Sequence, residues 1–265
     1  MAVIMIAVLA SCGTPRYAYS PVAHNVPVLT QKGDGKVGMS YSTNPTGREG
    51  DDDHDREERS KGFDIQGAYA ISNNWAIQFS HARRWEKTTD RTDSTTIKYD
   101  RNLTELGVGY YFPLSSKRMA FFQVFGGAGW GKFNFTDVSV YGRYYHDANV
   151  VKIYVQPAIL FRSRGSFSTS VAVRGSIMTF NSIKTNYDAS QLYDYKLDSL
   201  GSGARFFIEP GFVSSFGFKN VPGLRIEFQG GISALLARRE VDFRPANLSV
   251  GAYLDFGSLI HRSGK

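Results

Sequence analysis

Cysteine is nearly absent: Cys12 stands alone in 265 residues, which excludes an intrachain disulfide framework. Long apolar runs are missing as well. No stretch reaches the roughly 18 to 20 residues that a membrane helix needs, so any membrane crossing must be made by strands. Nor is positive charge concentrated anywhere. The formal net charge of +7 comes from Lys and Arg scattered along the chain and interleaved with acids. That distribution argues against a nucleic-acid partner and for attraction to anionic headgroups or acidic partners.

What is abundant is glycine, with 27 copies, and aromatic residues, at 14%. Such a mix suits Gly-rich, Tyr/Phe-rich strands better than helices. Ten segments alternate apolar and polar residues with a period of two. The first carries Val37, Met39 and Tyr41 on one face. The second sets Phe63, Ile65, Gly67, Tyr69 and Ile71 against Asp64, Gln66, Ala68 and Ala70, and only Ser72-Asn73-Asn74 separates it from the third, with Trp75, Ile77, Phe79 and His81. The fourth shows Leu106, Val108, Tyr110 and Phe112. The remaining six are expected at 121–135, 150–162, 167–180, 205–216, 224–235 and 247–256. Long connections fall at 43–61, 86–99, 136–149, 181–204 and 236–246, with short turns between. Short turns on one side and long loops on the other are the rhythm of a transmembrane barrel of outer-membrane type.

Size and charge assign the faces. One face combines Gly, Ala and Ser with Glu105, Lys152, Arg174, Glu209, Arg225 and Glu227, as a narrow lumen requires. The other is bulky and apolar. Its aromatics collect near both strand ends, with Trp75, Phe112, Phe122, Phe161, Phe167 and Phe216 on the turn side and Phe63, Trp85, Trp130 and Phe206 on the loop side. These predict two interfacial girdles. A soluble lipocalin-like barrel would place the apolar face inside, and mid-strand charges oppose that. Pro157 and Pro210 sit inside strands, in the similar contexts Gln156-Pro157-Ala158 and Glu209-Pro210-Gly211, and each is expected to mark a bulge or an irregular stretch.

The apolar run Met1 to Leu9 leads into Leu9-Ala10-Ser11-Cys12, a pattern like a bacterial lipobox whose cysteine takes a lipid. Residues 1–11 then read as a lipoprotein signal, 12–34 as a Pro-containing periplasmic tether, 35–257 as the barrel and 258–265 as a tail. With the lipobox, the stretch Tyr19-Ser20-Pro21-Val22-Ala23-His24-Asn25-Val26-Pro27-Val28-Leu29 before Lys32-Gly33-Asp34, the Phe63-to-Ala70 strand, Gln156-Pro157 and Glu209-Pro210, the chain resembles the small outer-membrane β-barrel lipoproteins of Bacteroidota. The resemblance implies fold and location and no catalytic residues. It also points towards accessory subunits of larger outer-membrane machines. After Cys12, Gly13-Thr14-Pro15-Arg16 lacks the acidic cluster that looks like a surface-export signal in this group, which favours an anchor in the periplasmic leaflet.

Chemical motifs are few. Gly126-Gly127-Ala128-Gly129-Trp130-Gly131-Lys132 approaches a phosphate-binding loop, but Phe133 takes the place of the Ser/Thr needed for Mg²⁺ and the strand alternation continues. Glycines that let neighbouring side chains cross the lumen are the better reading. Asp51-Asp52-Asp53-His54-Asp55 lacks the spacing of a calcium loop and reads as a solvated loop. A rim protease would need a His paired with a carboxylate; His54, His81 and His146 are the candidates, two of them beside Asp55 and Asp147. No metal site and no cofactor is expected beyond covalent lipid on Cys12.

The sequence therefore predicts an all-β, up-and-down antiparallel barrel of about ten strands in a bacterial outer membrane. Its lumen is expected to be filled by an ion-pair network of Arg174, Glu209, Arg225, Glu227 and Lys152, because ten strands enclose little more than eight do. Its role is expected to be structural or interactive, with a small porin or a rim-active protease as alternatives. Outer-membrane lipid and an envelope protein are the expected partners, the latter bound by Tyr187, Leu192, Tyr193 and Tyr195 in the 181–204 loop.

Overall fold

A computed structural model describes residues 14–45, 56–92, 94–163, 166–236 and 241–257. The strands are β1 (Gly35–Thr43), β2 (Arg56–Ala70), β3 (Trp75–Asp90), β4 (Thr95–Pro113), β5 (Ala120–Ser139), β6 (Gly142–Arg162), β7 (Phe167–Thr185), β8 (Arg205–Gly217), β9 (Leu224–Ile232), β10 (Ala234–Leu235) and β11 (Ala246–Asp255). A short helix, α1 (Ala189–Asp194), follows β7. Every strand pairing is antiparallel and joins neighbours in the chain, and β1 closes the sheet against β11. The short β10 continues β9 past Ser233, since Gly211 faces Gly231 and Ile208 faces Ala234 in one register. The result is a closed barrel of ten strands.

The expected faces are present. Met39, Ile77, Val108, Ile153 and Val171 stand exposed on the outside, while their neighbours Ser40, Gln78, Lys152 and Ala172 are buried within. Both girdles point outward, with Trp75 edge-on to Tyr110 and Phe167 against Phe216 at the turn end, and Phe63 against Trp85 at the loop end. Ten residues separate Trp75 from Trp85 on β3. At about 3.3 Å per residue and a tilt of about 40° that spans roughly 25 Å of height, the thickness of the apolar band of such barrels.

The wall is much taller than the band on one side. β5 and β6 run 20 and 21 residues, roughly twice the apolar height at that tilt. The connections expected as loops at 86–99 and 136–149 are therefore mostly strand, closed by tight turns after Asp90 and Ser139. The reason is an inversion of the pattern. Above the girdle β4 and β5 turn Lys98, Lys132 and Thr136 outward and Ile97, Tyr99, Phe133 and Phe135 inward, while β3 turns Lys87 outward and Glu86, Thr88 and Asp90 inward, where they join that core. Water lies outside there and a packed core inside, so the alternation continues with its polarity exchanged.

Neither proline makes a bulge. Pairing is interrupted at Gln156–Pro157 but resumes in the same register, from Val155 opposite Gly175 to Ala158 opposite Ala172. Pro157 and Pro210 both lie level with Val173 of β7, one strand to either side, judged from that register and from the Val173–Pro210 pair. The missing N–H costs a ladder bond without bending the count. The register shift falls elsewhere, between Asp147 and Asn149 of β6. There β7 contributes one residue more, and Ser182 takes a left-handed φ of 52°.

The largest departure concerns residues 14–30, expected as part of a tether outside the barrel. They run through its interior. Thr14 to Pro27 are buried without exception, and this segment, the strap, contributes to each interior cluster. Tyr17, Tyr19 and Val22 join Ile97, Tyr99, Phe133 and Phe180 at the loop end, Val26 joins Ala158, Ala172 and Val213, and Leu29 joins Tyr111 and Phe125 at the turn end. Its apolar residues need a core, and the lumen is the one the fold provides.

Candidate functional site: the barrel interior and its loop-side mouth

The strap has no regular structure of its own, so its polar groups must be satisfied by the wall. Asn25 donates to the carbonyls of Gly67 and Phe79 at 2.9 and 3.1 Å, and its own carbonyl accepts from Gln156 at 2.8 Å. Gln66 donates to the Ala23 carbonyl, and Asn44 and Asn247 both donate to that of Pro21. A second inner segment meets it, where Tyr19 bridges in parallel with Phe243 and the Arg244 amide donates to the Tyr19 carbonyl at 2.9 Å.

The direction of the strap is set by its ends. Asp34 Oδ2 accepts from the Thr30 amide and hydroxyl at the turn end, beside β1 and the close of β2. At the other end Thr14 donates to Asp90 at 2.8 Å and Arg16 pairs with Asp137, both near loop-side strand ends. The chain thus crosses the whole barrel and reaches Thr14 at the loop-side mouth. Cys12, the residue expected to carry lipid, lies outside the described residues.

Glu209 is the centre of the interior charge network. It accepts from Tyr19 at 2.5 Å, from Lys152 at 3.2 Å and from Ser233 at 3.1 Å. Lys152 also reaches Glu105 at 3.3 Å, and Arg174 joins Glu105 to Gln156. Three of the five expected members, Arg174, Glu209 and Lys152, therefore meet. The other two do not join them. Glu227 pairs with Lys36 at 2.7 Å, and Arg225 binds Ser215 and Ser168 near the turn end. Side-chain reach is what separates them, since facing the lumen does not bring two groups to the same level.

Sequence reasoning missed a second, larger set towards the loop end. Arg84 Nη2 donates to both carboxylate oxygens of Asp64 at 2.8 and 2.9 Å, and Ser42 also donates to Asp64. Arg101 and Arg244 converge on Glu86, with Arg244 also reaching Glu58 at 2.9 Å. Arg101 further donates to the Tyr17 carbonyl and the Ser20 hydroxyl of the strap. These cations sat in stretches expected to be loops or were assigned no partner, so only the tall wall and the strap make them legible.

The inward glycines behave as expected of space-makers. A Cβ on Gly107 or Gly127 would fall 2.5 or 2.8 Å from the Tyr154 hydroxyl, which Gln78 holds at 2.9 Å. On Gly211 it would fall 2.7 Å from His24 Nδ1. The cavity between His24, Pro21, Glu209 and Gln229 is about 10 Å³, room for one water at most.

The 181–204 segment folds over its own mouth. Tyr187 is buried, stacks on Tyr144 at 5.0 Å and donates to Asp137 at 2.7 Å. Burial and the Asp137 carboxylate hold its phenol above the ordinary range, so it stays a neutral donor. Tyr195 lies 3.7 Å from the Arg16 guanidinium, and Leu192, Leu197 and Leu200 pack into the loop-end core. Of the expected partner-binding set, Tyr193 alone projects, 74% exposed. The capping box of Asp188 and Gln191 fixes α1 over an open vestibule of about 520 Å³.

The histidine candidates for a rim protease do not assemble. His81 faces outward and meets Thr104, and His146 stacks on Phe135 with no partner for either ring nitrogen among the described residues. His54 and the acidic run around it lie outside the described residues. Among the described residues no cluster of three or more metal-binding side chains occurs.

No protein-family model matches this chain, and no curated protein does. Solved structures do. The translocator domain of the autotransporter NalP from Neisseria meningitidis superposes with a TM-score of 0.50 at 10% identity, covering 84% of this chain and 88% of that one. The transport unit of the autotransporter AIDA-I from Escherichia coli gives 0.44 at 10% identity, covering 87% and 91%. The outer membrane protein OprG from Pseudomonas aeruginosa gives 0.38 at 12% identity, covering 86% and 98%. The fold is that of the outer-membrane β-barrels.

Proposed function

We propose that this chain is a non-catalytic, lipid-anchored barrel of the bacterial outer membrane whose lumen is closed by its own strap, acting as an accessory subunit of a larger envelope complex. The observation that carries the reading is the buried strap, hydrogen-bonded to opposite walls and linked to the Glu209 network. A channel for solutes would be lined by solvated polar groups. Here the cavity beside Glu209 and His24 holds one water at most. Catalysis at the rim lacks a His–carboxylate pair among the described residues, and His24 is enclosed where no substrate reaches it.

A closed barrel moves nothing through its lumen, so its use lies in its surfaces. The short wall at β1 and β11 stands across the barrel from the tall wall at β5 and β6 and leaves the loop-side rim stepped, a shape suited to seating another envelope protein. Planar-bilayer recording tests the closure. The full chain should give no steady conductance, whereas deletion of residues 15–30 should give steady currents with heat-modifiable mobility retained. Large steady currents from the full chain would make the small-porin reading the better one. Co-purification from native membranes tests the subunit role.

A further inference from the structure

We propose that the loop-side rim of the β2–β4 wall is a binding site for a phosphorylated glycolipid of the outer leaflet. Register brings Lys87 directly between Arg59 on β2 and Lys98 on β4, all three outward and exposed. Like charges directly opposite one another in a sheet repel. Three in one row are not a stable arrangement by themselves, and an anion lying along the row turns the repulsion into binding.

Neutralisation from within the protein is incomplete. Arg59 pairs with Glu57, and Arg83 pairs with Asp100 at 2.8 Å. Lys61, Lys87 and Lys98 project from the same outer wall without an ion pair among the described residues. Three lysines thus remain for a ligand.

Height and floor decide which anion. Trp85 belongs to the loop-side girdle, and Lys87 stands two residues further along β3. That is about 5 Å higher along the membrane normal, the level of the headgroups. Below the cations an open, largely apolar cleft of about 620 Å³ is lined by Tyr41, Lys61, Phe63 and Trp85. Above it an open cleft of about 780 Å³ is lined by Arg59, Lys61, Trp85, Lys87, Lys98 and Asp100. Lys61 and Trp85 belong to both, so the two are stacked. An acyl chain fits the lower cleft and a phosphate the upper, and one molecule carrying both belongs to the loop-side leaflet. Long loops mark the external face of such barrels, where the leaflet is built from phosphorylated glycolipid.

The test uses the full chain in detergent, with bound lipid counted by native mass spectrometry. The probes are bisphosphorylated lipid A, the same lipid A without its phosphates, and phosphatidylglycerol. The wild type should retain the bisphosphorylated form preferentially. Lys61→Gln/Lys87→Gln/Lys98→Gln should bind it on the order of a hundredfold more weakly, and Lys117→Gln/Lys219→Gln at the turn end should bind as the wild type does. Without lipid the triple variant should melt no lower than the wild type, because it loses repulsion and no ion pair. Equal retention by the triple variant, or equal retention of dephosphorylated lipid A or of phosphatidylglycerol by the wild type, would overturn the site.

Discussion

Glu209 shows how much one side chain carries in this barrel. It is a fully buried carboxylate that joins the strap, through Tyr19, to β6 through Lys152 and to the β9–β10 junction through Ser233. Removing one member of a buried charge network costs about 3 to 5 kcal/mol, because the partners stay desolvated. Lys152 keeps Glu105 at 3.3 Å, so Glu209→Ala should fall near the lower end of that range and clearly lower the thermal transition in detergent. Asp100→Ala, which breaks an exposed pair with Arg83, should cost under about 1 kcal/mol. Equal transitions for the two variants would show that Glu209 is not bearing the strap. The same residue scale explains Gly211, whose missing side chain leaves the space that His24 occupies.

At the scale of elements, the 181–204 connection is held by its own barrel. Tyr187 loses a stacked ring, a hydrogen bond and a buried site when cut back, whereas Tyr193 loses only solvent contact. Tyr187→Ser should destabilise the folded protein by roughly 3 kcal/mol, and Tyr193→Ser by no more than about 0.5 kcal/mol. Heat-modifiable mobility over a temperature series reads both. If this segment binds a partner without opening, Tyr193→Ser is the change that releases it. Strand ends were legible only as far as the outward apolar pattern lasted. The expected end of the third strand near Trp85 is where the girdle stops, and the strand itself continues to Asp90 because Glu86, Thr88 and Asp90 still face inward.

At the scale of the whole molecule, the strap and the wall decide which side of the membrane each end meets. An even number of strands returns the C-terminal end of β11 to the turn side, near Asp34 and Gly223. The strap carries Thr14 to the opposite side. An epitope inserted between Gly13 and Thr14 should therefore be stained on intact cells together with one inserted at Val140–Tyr141, while one in the 114–118 turn should not. Staining of the turn-side epitope with the N-terminal one would reverse the path.

Strand number, the lipid face, both girdles and the inward position of Arg174, Glu209 and Lys152 follow from the sequence alone, because alternation with a period of two is a local property. Each residue's face is set by its neighbours along the strand, and lipid outside makes the apolar face unmistakable. What fills the lumen is not local. Tyr17, Tyr19, Val22 and Val26 stand in a Pro-containing stretch with no period. Only the closed wall, with Arg101, Asn44, Gln66 and Gln156 turned inward to donate to the carbonyls of Tyr17, Pro21, Ala23 and Asn25, decides that this stretch is the core rather than a tether. The same holds for the pairing of Glu227 with Lys36, 191 residues apart. Which inward charges meet depends on strand register and side-chain reach across the barrel, and these exist only once the sheet has closed.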